Sequence, residues 1–362
     1  MPRKKQYYNI ENMLKTNAQY MMLLGQRSNG KSYQAKETVL KAAYENDYKF
    51  VYLRRWREDI KVKSVQAYFG DINISKITNK EWSGIKAWNG DIYFTRTNDN
   101  GEEEKSKSIG RYCALNEAER YKSWVFTSDK TYYAYIIYEE FITDKIYLQN
   151  EPTILQQFVS TVARHKELHC LLIGNTLSRV CPYFNEWCLD GVLNQKQGTI
   201  EIYHFHVKEA IIDIAVEYCT NANFENKMFF GQAAKQIVTG EWDTTDVPKL
   251  PRKQYEYECI YKVLIIYQKF AFMVELLIEP KEGGKICFVY PYKRKFDKVE
   301  DIKNKRIITN TFSDLPYINC KLDITKKAEY YIAECFRMDK VCYSDNMTGS
   351  DFKNVMKVFK FS

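Results

Sequence analysis

The chain has 362 residues, of which 45% are hydrophobic and 28% charged, with ten cysteines, four histidines and a formal charge of +8. That length suits two domains, each with its own core, and the charge is compatible with a polyanionic partner without requiring one. A membrane span, a secretory leader and a cysteine-based metal or disulfide framework are not expected: no apolar run nears about 18 residues, Met1-Pro-Arg-Lys-Lys5 has no apolar segment behind it, and no CxxC pair occurs.

Tyr20-Met-Met-Leu-Leu24 reads as a short buried strand, followed by a Gly-rich turn and a helix from Ser32 to about Glu45. Phe50–Leu53 is a second strand, ending in Arg54-Arg55-Trp56-Arg57. Asp91–Arg96 and the stretch from Lys107 to Leu115 flank Asn98-Asp-Asn-Gly101, a hairpin turn. Tyr132–Tyr138 is a further apolar run that stops at Glu139-Glu140. Thr153–Arg164 reads as a helix, Leu168–Ile173 as a strand ending in Gly174-Asn175, and Thr199–Phe205 as a strand closing the sheet. Continuous apolar strands separated by helices predict an α/β fold with a mainly parallel sheet.

After residue 208 helical segments and a Pro-containing loop, Gly240 to Pro251, are expected. Strands at Tyr257–Tyr267, Phe270–Ile278 and Ile286–Tyr290 and helices at Ile324–Arg337 and Ser350–Phe359 then make a smaller second domain. The expected division is 1–207, the α/β domain with the Gly-rich turn; 208–250, a helical lid or linker; and 251–362, a C-terminal domain.

The chemistry concentrates at Gly25-Gln26-Arg27-Ser28-Asn29-Gly30-Lys31-Ser32, a GxxxxGK[ST] pattern between a strand and a helix. Glycines let backbone N–H groups close around phosphate oxygens at a helix N-terminus, where the dipole favours negative charge. Lys31 then reaches the β- and γ-phosphates of ATP and Ser32 holds Mg²⁺. The plain alternative is a glycine turn with an exposed lysine. Glu139 stands where other P-loop enzymes carry a metal-orienting aspartate, and Glu140 is the candidate base for the attacking water. Two solvated carboxylates at a strand end are the alternative there. Asn175 is placed to sense the γ-phosphate or to be a turn residue; on its residues alone Arg164 reads as a solvated cation at a helix end.

Leu24–Tyr33, Phe50–Arg57, Glu139-Glu-Phe141, Thr161-Val-Ala-Arg164, and Asn175 followed by Pro182-Tyr-Phe184 occur in one order. That order resembles the DNA-packaging ATPases, or encapsidation proteins, of small short-tailed double-stranded DNA bacteriophages, over roughly residues 7–185. Tyr7-Tyr8-Asn9 also looks like that family's start, which lies near the adenine, so Tyr8 joins the nucleotide-binding set. The resemblance implies an additional-strand, catalytic-glutamate ATPase. It assembles as a homo-oligomeric ring, usually of five subunits, on the capsid portal of a prohead, with or without an RNA ring, in the host cytoplasm. It implies that Arg164 acts across the subunit interface as an arginine finger and that Lys122 is a second cation near the neighbour's nucleotide. It also implies a C-terminal ribonuclease-H-like domain that has lost its catalytic acids.

A motor that passes any sequence must contact double-stranded DNA mainly through phosphates. Arg57, Lys61 and Lys63 are the pore-facing candidates; a solvated basic loop is the alternative. In the second domain Glu256, Glu258, Glu275 and Glu279 form no convincing two-metal set, so no nuclease activity is expected. The competing readings are a packaging ATPase that also cuts DNA, a nucleotide-gated scaffold without motor activity, and another translocase such as a helicase.

Overall fold

An apolar run that is not alternating can bury both faces only inside a layered sheet, and the first half of the chain builds such a sheet. The computed structural model describes residues 7–128, 130–208, 210–220, 242, 244–280, 283–292, 306–309, 318–319 and 321–359. The chain divides into two units: Met1–Thr143 with Tyr147–Leu177 and Cys181–Glu241, and Asp144–Ile146 with Ser178–Val180 and Trp242–Ser362.

In the first unit the strands are β1 (Tyr20–Gly25), β2 (Lys49–Arg54), β3 (Gly84–Trp88), β4 (Asp91–Thr97) and β5 (Glu103–Ala114). β6 (Tyr133–Glu139), β7 (His169–Asn175), β8 (Ile200–Val207) and β9 (Ala210–Tyr218) complete them. Their order is β3-β4-β5-β2-β6-β7-β1-β9-β8. The six strands from β5 to β9 run parallel, and antiparallel pairs β3–β4, β4–β5 and β8–β9 form the two edges. β7 lies between β1 and β6, the additional-strand arrangement that the family resemblance implies. Met21 and Leu23 of β1 share a core with Ala35, Val39, Leu40 and Ala43, the inner stripe of the helix Lys31–Glu45.

The hairpin at Asn98–Gly101 forms because the Asn98 carboxamide oxygen accepts from the N–H groups of Asn100 and Glu102, at 3.0 and 2.9 Å. The boundary at residue 207 is corrected. Lys208, in the left-handed region at φ 56°, turns the chain back, and Ala210–Tyr218 is a strand of the same sheet, parallel to β1, rather than the start of a helical lid. Pairing with β1 outweighs local propensity there. Of the rest of the expected lid, 221–241 and 243 lie outside the described residues, and 244–250 carry no helix.

The second unit carries β10 (Glu258–Tyr267), β11 (Phe270–Ile278), β12 (Lys285–Pro291), β13 (Arg306–Thr309), β14 (Ile318–Asn319) and β15 (Val341–Tyr343). β10, β11 and β12 are antiparallel neighbours, while β13 runs parallel to β10 and β14 parallel to β13. This is a ribonuclease-H-like sheet, extended beyond β12 by β15. The helices Lys327–Arg337 and Asn346–Phe359 supply Ile332, Phe352 and Val355 to its core. Among the described residues no helix is long and apolar enough to cross a membrane.

Candidate active site

Parallel strands deliver their C-terminal ends to one edge of a sheet, and the loop after β1 opens there. Gly25 (φ 142°), Ser28 (φ 59°) and Gly30 (φ 103°) take backbone conformations that bend the loop back on itself before the helix begins at Lys31. Arg27 to Ser32 line a cavity of about 820 Å³ with Tyr7, Glu139, Glu140 and Asn175. Lys31 is buried, and its ammonium donates to the Gln26 carbonyl at 2.6 Å and to the Asn29 and Asn175 carboxamide oxygens at 3.2 and 3.5 Å. These are neutral acceptors, and burial lowers its pKa to about 8. Among the described residues the buried Gln26 Oε1 meets no hydrogen-bond partner.

β6 brings two carboxylates to the same edge with different surroundings. Glu139 is buried and accepts the Ser32 hydroxyl on Oε1, while among the described residues its buried Oε2 makes no well-formed hydrogen bond. The buried Tyr68 phenol lies beside it. Burial raises the Glu139 pKa against the opposing pull of Ser32, Arg54 and Lys31. Glu140, exposed and at φ 57°, accepts from Arg54 Nη2 at 2.7 Å. Arg55 turns inward instead. Its Nη1 and Nη2 donate to the backbone carbonyls of Glu140 and Phe141, at 3.1 and 2.6 Å, and its fork grips Glu151 at 2.7 and 3.0 Å.

A glycine-containing loop around a buried lysine, paired strand-end glutamates and an interposed strand in one sheet restrict the choice of family. The podovirus DNA encapsidation protein (Gp16) family matches residues 2–233, more than half of the chain. The chain belongs to that family. The DNA packaging protein of Bacillus phage phi29 is 26% identical over 185 residues, 50% of each chain. That of Bacillus phage B103 is 28% identical over 166 residues, 45% of this chain and 46% of that one. The chain thus spans about half the length of the curated relatives it matches. The solved bacteriophage Phi-29 viral genome packaging motor assembly shares the fold, with TM-score 0.55 and 17% identity over 98% of this chain and 99% of that one.

Not every candidate in this encapsidation-family chain meets the cavity. Tyr8 is buried and donates its hydroxyl to Glu217 at 2.7 Å; its neighbour Tyr7 is the ring on the cavity wall. Arg164 is exposed where the helix Glu151–Ala163 ends, at the opposite edge of the parallel strands from Lys31. With 13 residues of helix between the two edges, about 20 Å, it cannot serve its own loop. Lys122 is exposed and paired with Glu119 at 2.7 Å. Arg57, 3.7 Å from Glu117, and the exposed Lys61 and Lys63 follow β2 outside the cavity.

In the second unit Glu275 accepts from Lys262 and Gln254 at 2.7 Å and from Tyr290 at 2.9 Å. Glu279 faces Arg252 at 4.0 Å, the Glu256 carboxylate accepts from the Lys253 N–H at 3.3 Å, and Glu258 is exposed. Sequence reasoning noticed Arg54 and Arg55 only as a basic strand end and passed over Glu151. The doublet directly after an apolar strand was the available signal for the first two; Glu151 offered none.

Proposed function

We propose that this chain is an ATP-hydrolysing motor subunit that drives double-stranded DNA into a preformed capsid, working as one member of a homo-oligomeric ring of five. The observation that carries the reading is the convergence of Lys31, Ser32 and Glu139 on one cavity, where among the described residues the Lys31 ammonium donates to neutral oxygens and the buried Glu139 Oε2 makes no well-formed hydrogen bond, with the Tyr68 phenol beside it. Buried polar atoms are seldom left so, and a polyphosphate with its metal would satisfy both.

ATP with Mg²⁺, when bound, supplies the transferable phosphoryl group and the charge that neutralises it. The loop N–H groups and Lys31 would hold the phosphates, exchanging the contacts to Gln26 and Asn29 for phosphate oxygens. Ser32 and Glu139 would hold the metal. Glu140 would take a proton from the attacking water, for which its carboxylate must turn from Arg54, and Asn175 would orient that water. Arg164, too far for its own loop, suits the nucleotide of the next subunit in a head-to-tail ring, with Lys122 as a second cation there. The exposed Arg57, Lys61 and Lys63 suit DNA phosphates. The work would take place in the host cytoplasm, on a prohead portal.

The test is ATP hydrolysis by wild type, Lys31→Ala, Glu140→Gln and Arg164→Ala, with and without duplex DNA and proheads. DNA-stimulated turnover, lost in the first two variants and recovered when Arg164→Ala is mixed with Glu140→Gln subunits, is the expected result. Turnover that ignores DNA and survives loss of Glu140 would favour a nucleotide switch over a motor.

A further inference from the structure

A general base works only if its carboxylate is delivered to one spot, and Glu140 is delivered by a backbone that has reason to move. It is a non-glycine residue in the left-handed region at φ 57°, which side chains adopt at a cost, and it follows the last residue of β6. Its side chain is exposed and must swing between Arg54 and a water. Such a swing lands reproducibly only when the main chain beneath it is fixed.

Taking Glu140 as the base proposed above, we infer that Arg55 is a positioning residue which locks the backbone of Glu140 from below, with Glu151 as the buried anchor of that lock. The guanidinium bridges two groups at once. On one side it donates to the carbonyls of Glu140 and Phe141, the two peptide oxygens on either side of the turn out of β6. On the other it forms a two-pronged pair with Glu151, which is 0% exposed.

Glu151 is itself held by the hydroxyls of Tyr138 and Tyr183 at 2.7 and 3.0 Å and by the Leu148 N–H at 2.9 Å. The Arg55 guanidinium also lies over the Tyr147 ring at 4.8 Å. Every lone pair in reach is answered, so the clamp is rigid. A buried ion pair is weak evidence for stability, since apolar residues often replace one at no loss. Here the pair spans from the first residue of the helix Glu151–Ala163 to the strand end that carries the base. Arginine's planar fork serves both sides together, which a lysine ammonium cannot.

The experiment compares three variants of the 362-residue chain with wild type: Glu140→Gln, Arg55→Lys, and the double change Arg55→Met with Glu151→Gln. The double variant removes both charges and leaves the glutamine oxygen to accept from Tyr138, Tyr183 and Leu148. Thermal unfolding, ATP affinity and steady-state hydrolysis are measured for each. The expected result is a folded double variant with unchanged ATP affinity and KM, and kcat lowered roughly ten- to a hundredfold by a misplaced base. Arg55→Lys should show the same split between KM and kcat. If either folded variant keeps kcat within about twofold of wild type while Glu140→Gln is inactive, Arg55 is a packing residue and the positioning role is refuted. If Glu140→Gln itself turns over normally, the assignment of the base fails, and the lock with it.

Discussion

Glu329 in the second unit and Glu139 in the first are both buried carboxylates, yet their surroundings differ in kind. Glu329 has an ion pair with Arg306 at 2.9 Å, the Tyr261 hydroxyl at 3.1 Å and the Asp323 N–H at 2.6 Å. Glu139 has the Ser32 hydroxyl on one oxygen and, among the described residues, no well-formed hydrogen bond on the other, where the Tyr68 phenol is its neighbour. The lysines divide in a similar way: Lys262 pairs directly with the carboxylate of Glu275 at 2.7 Å, whereas among the described residues the hydrogen bonds of Lys31 go to amide and carbonyl oxygens and Glu139 acts on it only from beyond pairing distance. A protein interior normally answers each buried charge, because an unanswered one costs several kcal/mol. The second sheet obeys that rule and its acids hold structure. The first departs from it where a ligand would complete the set.

The largest effect expected from this contrast is on turnover. Glu140→Gln removes the proposed base and leaves the surroundings of Lys31 intact, so kcat should fall about 10²- to 10⁴-fold, roughly 3–5 kcal/mol of barrier, with ATP affinity kept. Single-turnover assays measure it, and a loss under tenfold would move the base elsewhere. Next come the two buried acids. Glu329→Ala strands Arg306 and should cost the second unit about 3–5 kcal/mol in urea unfolding. Glu139→Gln relieves a charge that burial already disfavours, so it should change stability by less than about 1 kcal/mol while weakening metal-dependent ATP binding. Equal losses of stability in the two variants would erase the contrast.

A smaller effect follows from pH. Burial lowers the Lys31 pKa from 10.5 to about 8. Below that pH the free site already carries the charge that phosphate needs. Above it the amine is neutral and must take up a proton on binding, so affinity falls as pH rises through about 8, by at most tenfold per pH unit. Calorimetry without metal, which keeps Glu139 out of the balance, should find proton uptake well above pH 8 and none well below it. Flat affinity across that range would separate Lys31 from the phosphates.

How much of this could be read from residues alone depends on whether the constraint was local. The phosphate loop was legible because its glycines and lysine are contiguous, and the hairpin at Asn98–Gly101 because Asn98 bonds within its own turn. The interposed strand β7 was legible as a strand, though its place between β1 and β6 rested on family resemblance. β9 was missed because Ala210-Ile-Ile-Asp-Ile-Ala-Val-Glu-Tyr218 has no clean period, and its partner β1 lies far back in the chain. Arg55 and Glu151 were beyond reach for a similar reason: they are 96 positions apart, and only the assembled sheet turns one guanidinium toward both the helix start and the strand end. Short strands such as β13, β14 and β15 carry too few residues to show a pattern.

Tyr7 and Tyr8 give the finest test, because adjacent residues of an extended segment face opposite ways and only one of them can meet a ligand. Tyr8 points into the core, and its N–H also donates to the Asn29 carbonyl at 3.0 Å, so it steadies the loop from behind. Tyr8→Phe removes the hydroxyl bond to Glu217 and should cost about 1 kcal/mol of stability with no change in KM for ATP. Tyr7, 55% exposed on the cavity wall, should behave in the opposite way. Tyr7→Ala should leave stability within about 0.5 kcal/mol, as at most surface positions. It should raise KM a few-fold, the roughly 0.5–1.5 kcal/mol that a lost ring-on-ring contact removes. Denaturant midpoints and KM for the two variants decide it: if Tyr8→Phe raises KM and Tyr7→Ala does not, the base of the nucleotide sits on the buried side of the segment, and the first sheet's open edge extends deeper than the cavity now outlines.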